Sequence, residues 1–153
     1  PAPWLPKWMG DAVYIDPNNG DDANDGRSAA TPRRTLPAAH PPPGEALLIK
    51  AGTTLRANAR YFGGDPALPV RFGVYGPGRA TWSGGLQTAL SLTGPGGWEL
   101  ENIDFACAGA ELCGPDVIVL HIATTAPGGH LVLRNVSVSG GGLMGFDWQN
   151  DGM

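Results

Sequence analysis

Two octapeptides, WELENIDF at residues 98–105 and LVLRNVSV at residues 131–138, decide the fold of this chain. They share the pattern apolar, any, apolar, polar, Asn, apolar, any, apolar. A glycine-rich turn precedes each copy, and a short alternating strand precedes that turn, at residues 90–92 in one case and 120–122 in the other. A repeat with this spacing indicates a stacked array of similar units.

In each copy the apolar alternation slips by one residue at the asparagine, Asn102 or Asn135. Such a slip turns the following side chains to the opposite face of an extended chain. The backbone must therefore bend at this residue, and asparagine is the non-glycine residue that best tolerates the left-handed conformation of a sharp bend. Strand, asparagine corner, strand and glycine turn describe one coil of a parallel β-helix, with Asn102 and Asn135 as its structural corners.

Stacked coils make equivalent residues neighbours. We therefore expect Leu100 beside Leu133, Asn102 and Asn135 in a side-chain ladder, and Glu101 facing Arg134. A β-sandwich with two similar hairpins is the alternative explanation of the repeat.

The rest of the chain extends this coil pattern. Strand starts fall near residues 47, 70, 90 and 120, and their unequal spacing predicts four to five coils with loops of variable length. We divide the chain into an N-terminal strand, Asp-rich loop and cap (1–45) and the coils (46–153). A further coil begins near residue 143, so we expect truncation at the C-terminus, with self-association through the open last coil as the alternative.

Composition excludes several classes of protein. The 153 residues include 24 Gly and 15 Pro, too many for a helical bundle, and the 42% hydrophobic and 16% charged residues do not suit a disordered chain. The net charge is −4 and the cations are scattered, so no nucleic acid partner is expected. The longest apolar run, residues 117–122, is too short to span a membrane.

The two cysteines, Cys107 and Cys113, lie six residues apart in a stretch rich in Gly and Ala. They are too few for a structural zinc site, so we predict a disulfide that closes a small loop, with two free thiols as the alternative. A disulfide predicts a secreted or cell-surface protein. No signal peptide is recognised at residues 1–10, so an export signal is either absent or already removed.

An aspartate-rich segment follows the first predicted strand and contains Asp16, Asp21, Asp22 and Asp25. Carboxylates of this density offer the oxygen ligands that Ca²⁺ prefers, although the spacing is not that of an EF-hand. We therefore name these four residues as a possible Ca²⁺ site, with a loop of Asx-turns as the alternative.

The N-terminal half resembles the opening of right-handed parallel β-helix proteins of the pectate-lyase-like superfamily. The resemblance covers roughly residues 12 to 140 and is carried by three stretches: Val13–Pro17, Asn24–Gly26 and Leu47–Thr53. It implies an all-β, right-handed parallel β-helix with a short N-terminal cap. In place of the family's capping helix, residues 31–39 contain Pro37 and precede Pro41–Pro43, so the cap is expected to be one turn or irregular.

The superfamily includes polysaccharide lyases and glycoside hydrolases, which implies an exported carbohydrate-active protein that binds polysaccharide. Because no active-site signature is present, we expect the catalytic groove to lie beyond this chain. A non-catalytic adhesin, phage tailspike or self-associating solenoid is the alternative.

Individual residues give only weak indications of chemistry. Asp104 is expected to point outward, as is His121, and neither His121 nor His130 is expected to have a nearby Ser, Cys or acid spaced for a catalytic triad. Five carboxylates lie near the best-defined coils: Glu99, Glu101, Asp104, Glu111 and Asp116. Five aromatic residues are candidates for stacking on sugar rings: Trp4, Trp8, Tyr61, Trp82 and Trp148. For three of them another position is preferred, the end of the solenoid for Trp4 and Trp8 and the core or cap for Trp82.

Overall fold

A computed structural model describes residues 10–108, 113, 117–124, 129–140 and 146–150 of the chain, with only the backbone for 124 and 146–150. These residues form strands and no helix. The strands are β1 (Ala12–Ile15), β2 (Ala46–Lys50), β3 (Thr54–Arg56), β4 (Ala59–Phe62), β5 (Val70–Tyr75), β6 (Ala80–Ser83), β7 (Leu90–Gly94), β8 (Trp98–Glu101), β9 (Ile103–Ala106), β10 (Leu120–Thr124), β11 (Leu131–Arg134), β12 (Ser137–Ser139) and β13 (Phe146–Asn150).

The strands stack in three parallel sheets. Sheet A has the order β1-β2-β5-β8-β11, sheet B the order β3-β6-β9-β12, and sheet C the order β4-β7-β10-β13. From β2 onward the chain visits sheets A, B and C in turn, so that it completes about four turns of a β-solenoid. The predicted all-β parallel solenoid is thereby confirmed. In the described part of the chain, no helix is long and apolar enough to cross a membrane.

The repeat in the sequence matches the register of the last two turns. Leu133 pairs with Leu100 and Arg134 with Glu101 across β11 and β8, and Ser137 pairs with Asp104 across β12 and β9. The offset between the two octapeptides is therefore also the offset between paired strands. No ion pair joins Glu101 to Arg134 in the described part of the chain, so they are neighbours by register alone.

The two asparagines of the repeat lie between sheets A and B and have left-handed backbones, with φ of 59° at Asn102 and 52° at Asn135. The Asn135 side-chain amide donates to the Asn102 side-chain oxygen over 2.8 Å, one turn below. The backbone N–H of Asn102 donates to the carbonyl of Arg134, so this stack continues the hydrogen bonding of sheet A.

The four predicted strand starts are confirmed, at residues 46, 70, 90 and 120, but these strands do not occupy equivalent places in the coil. The strands near 47 and 70 belong to sheet A, whereas those near 90 and 120 belong to sheet C. Short apolar strands look alike in sequence, and a turn of this solenoid contains three of them, so the strand starts alone do not tell the sheets apart. Within sheet A the strands actually start at residues 12, 46, 70, 98 and 131.

The interior is filled by side chains from all three sheets. Phe72, Trp82 and Phe105 are fully buried, and the Trp82 and Phe105 rings lie 5.7 Å apart. The buried Trp82 Nε1 donates to the carbonyl of Ala57, so its polar atom is satisfied. Because inward residues alternate with outward ones along each strand, the same register that builds this core aligns polar side chains on the outside.

Candidate functional site on the outward face of sheet C

A ladder of polar residues crosses the outward face of sheet C. Arg60 on β4 pairs in register with Ser91 on β7, Ser91 with His121 on β10, and His121 with Asp147 on β13. Their inward neighbours form the core, as for Leu90, which is fully buried. Adjacent strands lie about 4.8 Å apart, so a cation, a hydroxyl, an imidazole and an aspartate occupy successive steps of one ladder.

The central pair of this ladder is hydrogen bonded. Ser91 Oγ lies 2.9 Å from His121 Nδ1, and in the tautomer with its proton on Nε2 the imidazole accepts the serine proton. Ser91 is only 7% exposed, which keeps the hydroxyl in one environment. Arg60, by contrast, is exposed, and its guanidinium has no hydrogen-bond or ion-pair partner in the part of the chain that the structure describes.

Arg60 and Ser91 line a cleft of about 530 Å³ at the edge where sheet B connects to sheet C. Its walls come from three successive connections: Asn58, before β4; Leu86, Gln87 and Thr88, before β7; and Val117 and Ile118, before β10. The cleft therefore combines amide and hydroxyl groups with apolar side chains and one guanidinium. None of the described residues that line it is acidic.

Hydrogen bonds hold the wall between β6 and β7 in place. The Asn58 side-chain amide donates to the carbonyls of Gly84 and Thr88, over 2.8 and 2.9 Å. Asn58 lies one turn below this loop, so it ties two turns together at the cleft. A binding site whose walls are held in this way loses little conformational entropy when a ligand binds.

A disulfide lies in the connection between β9 and β10, residues 107–119. Cys107 and Cys113 are joined within it, and both are buried. Val117 and Ile118, which line the cleft, lie in the same connection. The disulfide thus shortens the free length of a loop that supplies one wall of the cleft.

Phe62 stands on the outward face two residues beyond Arg60 and is 74% exposed. It was not among the aromatic residues predicted from the sequence. Tyr61 was expected to be exposed, and that is wrong: it points inward, is 7% exposed, and burial raises its pKa to about 12. Trp82 is also buried in the core. Successive side chains of a strand point to opposite faces, so an error of one residue in the assignment exchanges the buried side chains with the exposed ones.

The four aspartates proposed as Ca²⁺ ligands do not come together. Asp16 accepts hydrogen bonds from the backbone of Asn18 and Asn19 and from Lys50 Nζ at 2.9 Å. Asp21 and Asp25 accept from the backbone two residues ahead, as in Asx-turns. Asp22 accepts from the backbone of residues 34 and 35 and from the Thr35 hydroxyl.

These contacts change the pKa values of two of the carboxyl groups. Burial raises the pKa of Asp16, but hydrogen bonds from Lys50 and the backbone outweigh this, so the net pKa is lowered. Hydrogen bonds from Thr35 lower the pKa of Asp22. Among the described residues, no three His, Cys, Asp or Glu side chains form a group able to hold a metal ion. The Ca²⁺ site stays an untested prediction.

The other candidate groups form ion pairs on sheets A and B. Glu99 bonds to Arg71 through Oε2 at 3.0 Å and accepts from His130 Nε2 through Oε1 at 3.0 Å. Asp104 pairs with Arg79 and also accepts from the Ser137 hydroxyl. The Arg79 guanidinium is the main cause of the lowered pKa of Asp104.

Several candidates lie outside the described residues. These are Trp4, Trp8, Glu111 and Asp116, together with the side chain of Trp148.

The expectation that His121 has no nearby serine is wrong, because it considered only neighbours in sequence. Ser91 lies one full turn earlier, on the strand of sheet C that pairs with the strand of His121. The signal was present in the two short strands, Leu90-Ser91-Leu92 and Leu120-His121-Ile122, since aligning them sets their middle residues side by side. In a solenoid, residues one turn apart become neighbours, and here the separation is 30 residues.

Comparison with solved structures supports the fold. The chain is similar to two structures of GH136 lacto-N-biosidase from Eubacterium ramulus, a selenomethionine derivative (TM-score 0.65, 17% identity) and the native protein (TM-score 0.61, 16% identity). The match covers 84% and 83% of this chain but 27% and 26% of those chains, so this chain spans about a quarter of their length. No family model and no curated protein matches the sequence.

Proposed function

We propose that this chain is part of an exported carbohydrate-active β-helix protein and that the cleft on sheet C is a sugar-binding subsite. The observation that carries the proposal is the outward face itself. There Arg60, which has no partner among the described residues, lines a cleft of amide and hydroxyl groups, and Phe62 exposes its ring on the same face, two residues farther along β4. Sugars present both hydroxyl groups, which pair with such side chains, and C–H faces, which pack on aromatic rings.

Similarity to the lacto-N-biosidases supports carbohydrate as the ligand class, and the disulfide supports export. Hydrolysis of a glycosidic bond by inversion needs two carboxyl groups on either side of the bond. The described cleft residues supply none, so we assign binding to this cleft and assign glycosidase or lyase chemistry to residues beyond it.

The test is calorimetric titration of the chain with a panel of neutral and anionic oligosaccharides, including ones that end in lacto-N-biose. We expect binding to at least one class, weakened about tenfold by Phe62→Ala and by Arg60→Ala. Leu68→Ala is the matched control, because Leu68 is 54% exposed but lies on the connection between sheets C and A. Binding that is insensitive to both the Arg60 and the Phe62 variant would place the ligand elsewhere, and no binding to any sugar would favour the adhesin or tailspike alternative.

A further inference from the structure

The Ser91–His121 pair has the contact required of an activated serine nucleophile. Serine is a weak nucleophile until a base within hydrogen-bond reach accepts its proton, and the contact between Ser91 Oγ and His121 Nδ1 is 2.9 Å. Ser91 lines the cleft, so its hydroxyl can be reached from there although the residue is largely buried.

The strands on either side of the Ser91–His121 pair place further polar residues beside it. On the side away from Ser91, β13 sets Asp147 at the register position next to His121. On the other side, Arg60 is the register neighbour of Ser91 and shares the cleft with it. Cation, hydroxyl and imidazole therefore follow one another in the order in which acyl-transfer sites use an oxyanion stabiliser, a nucleophile and a base.

We propose that Ser91 and His121 form a serine-dependent ester hydrolase site whose substrates are acyl esters carried on sugar hydroxyl groups. The choice of sugar esters rests on the proposed function of the cleft, whereas the ester chemistry rests on the Ser91–His121 contact alone. Arg60 stabilises the negative charge that develops on the carbonyl oxygen.

The reaction balances with water as the only co-reactant. Ser91 Oγ bonds to the ester carbonyl carbon while its proton passes to His121 Nδ1. The carbon–oxygen bond to the sugar then breaks, and the sugar oxygen takes the proton from His121. Water attacks the acyl-serine with His121 again accepting a proton, the carboxylic acid leaves, and the proton returns to Ser91.

The ester site is tested on the purified chain with two probes that need no sugar. These are a fluorophosphonate, which bonds covalently to activated serines, and 4-nitrophenyl acetate, whose hydrolysis is followed by absorbance. We expect mass spectrometry to map the fluorophosphonate to Ser91. Ser91→Ala should abolish labelling and hydrolysis, and His121→Asn should slow both about a hundredfold or more.

Matched controls are available on other parts of the solenoid. Ser139→Ala removes an exposed hydroxyl on sheet B, and His40→Asn removes an exposed imidazole before β2, so both should retain the full rate. Release of acetate from an O-acetylated oligosaccharide then tests the sugar ester. An unlabelled wild-type chain, a label mapped to another serine, or wild-type hydrolysis by Ser91→Ala would each overturn the proposal.

The outcomes separate this proposal from the proposed function. Sugar binding without labelling of Ser91 overturns the ester hydrolase and leaves the sugar-binding subsite standing. Labelling and ester hydrolysis at Ser91 without binding to any sugar supports the hydrolase chemistry and contradicts the carbohydrate ligand. Because labelling is mapped on the unsubstituted chain, the result stands even if Ser91→Ala fails to fold.

Discussion

Two polar ladders, one on the outward face of sheet B and one on that of sheet C, differ in how far their groups pair with one another. On sheet B, Asp104 accepts bonds from both Arg79 and Ser137, so the polar groups of the ladder satisfy one another. On sheet C, Ser91 and His121 are bonded, but the neighbouring Arg60 borders a cleft and has no partner within the described residues. A ladder whose polar groups all pair with one another holds the coils together. A ladder that leaves a charge unpaired can bind a ligand through that charge.

The largest effect is expected in the interior that both faces share. Trp82→Ala should lower the free energy of unfolding by about 3–5 kcal/mol, because it removes a fully buried ring that contacts Phe105 and Phe72. Urea denaturation followed by circular dichroism measures this. A loss below about 1 kcal/mol would mean that Trp82 is not part of a packed core.

Removing a carboxylate that forms an ion pair should cost more stability than removing a carboxylate without one. Glu99→Gln should destabilise the chain by about 2–4 kcal/mol at pH 7, because it weakens the hold on the Arg71 guanidinium, whose side chain is only 9% exposed. Glu101→Gln, two residues along the same strand face, has no ion pair within the described residues and should be close to neutral. Equal losses for the two variants would contradict this difference between paired and isolated charges.

The Glu99 carboxylate should also make the free energy of unfolding depend on pH. Burial raises the pKa of Glu99, but hydrogen bonds from His130 and Arg71 outweigh it, so its folded pKa lies below the ordinary value of 4.5. Its stabilisation is therefore complete above the unfolded pKa and is lost as the pH falls through 4.5 toward the folded pKa. Unfolding free energies measured from pH 7 to pH 3 should fall more steeply for the wild type than for Glu99→Gln.

A smaller effect is expected at the bends between sheets A and B. Asn102→Leu and Asn135→Leu should each cost about 1–3 kcal/mol, because leucine tolerates a positive φ poorly and cannot join the amide ladder. Asn102→Gly keeps the backbone conformation and should lose only the side-chain bond, so it is the control. Near-neutral results for both leucine variants would contradict a structural role for these asparagines.

The smallest effect on stability is expected on the face that we assign to ligands. Phe62→Ala should change the free energy of unfolding by about 0.5 kcal/mol or less, since the ring is 74% exposed. Together with weakened sugar binding, this would separate function from stability at one residue. Destabilisation by more than about 1 kcal/mol would instead assign Phe62 to the fold.

The sequence predicted the parts of the fold that local pattern dictates. The slip of alternation at Asn102 and Asn135 led to the coil, and the offset between the two octapeptides predicted the register of Leu100 with Leu133. The Ser91–His121 pair was not predicted, because His121 was compared only with its neighbours in sequence, whereas Ser91 lies 30 residues away. The cleft was not predicted, because its walls come from loops between the strands, and these loops differ in length from one turn of the solenoid to the next.

The connections between sheets B and C differ greatly in length, with residues 57–58 joining β3 to β4 and residues 107–119 joining β9 to β10. The register of strand pairing does not depend on this length, because each strand pairs with the strand of the preceding turn whatever the length of the loop before it. Loop closure entropy also rises only slowly with length. One rim of the solenoid can therefore accept insertions, deletions or grafted segments while the core keeps its register, which makes this rim the natural place to evolve or engineer a new specificity.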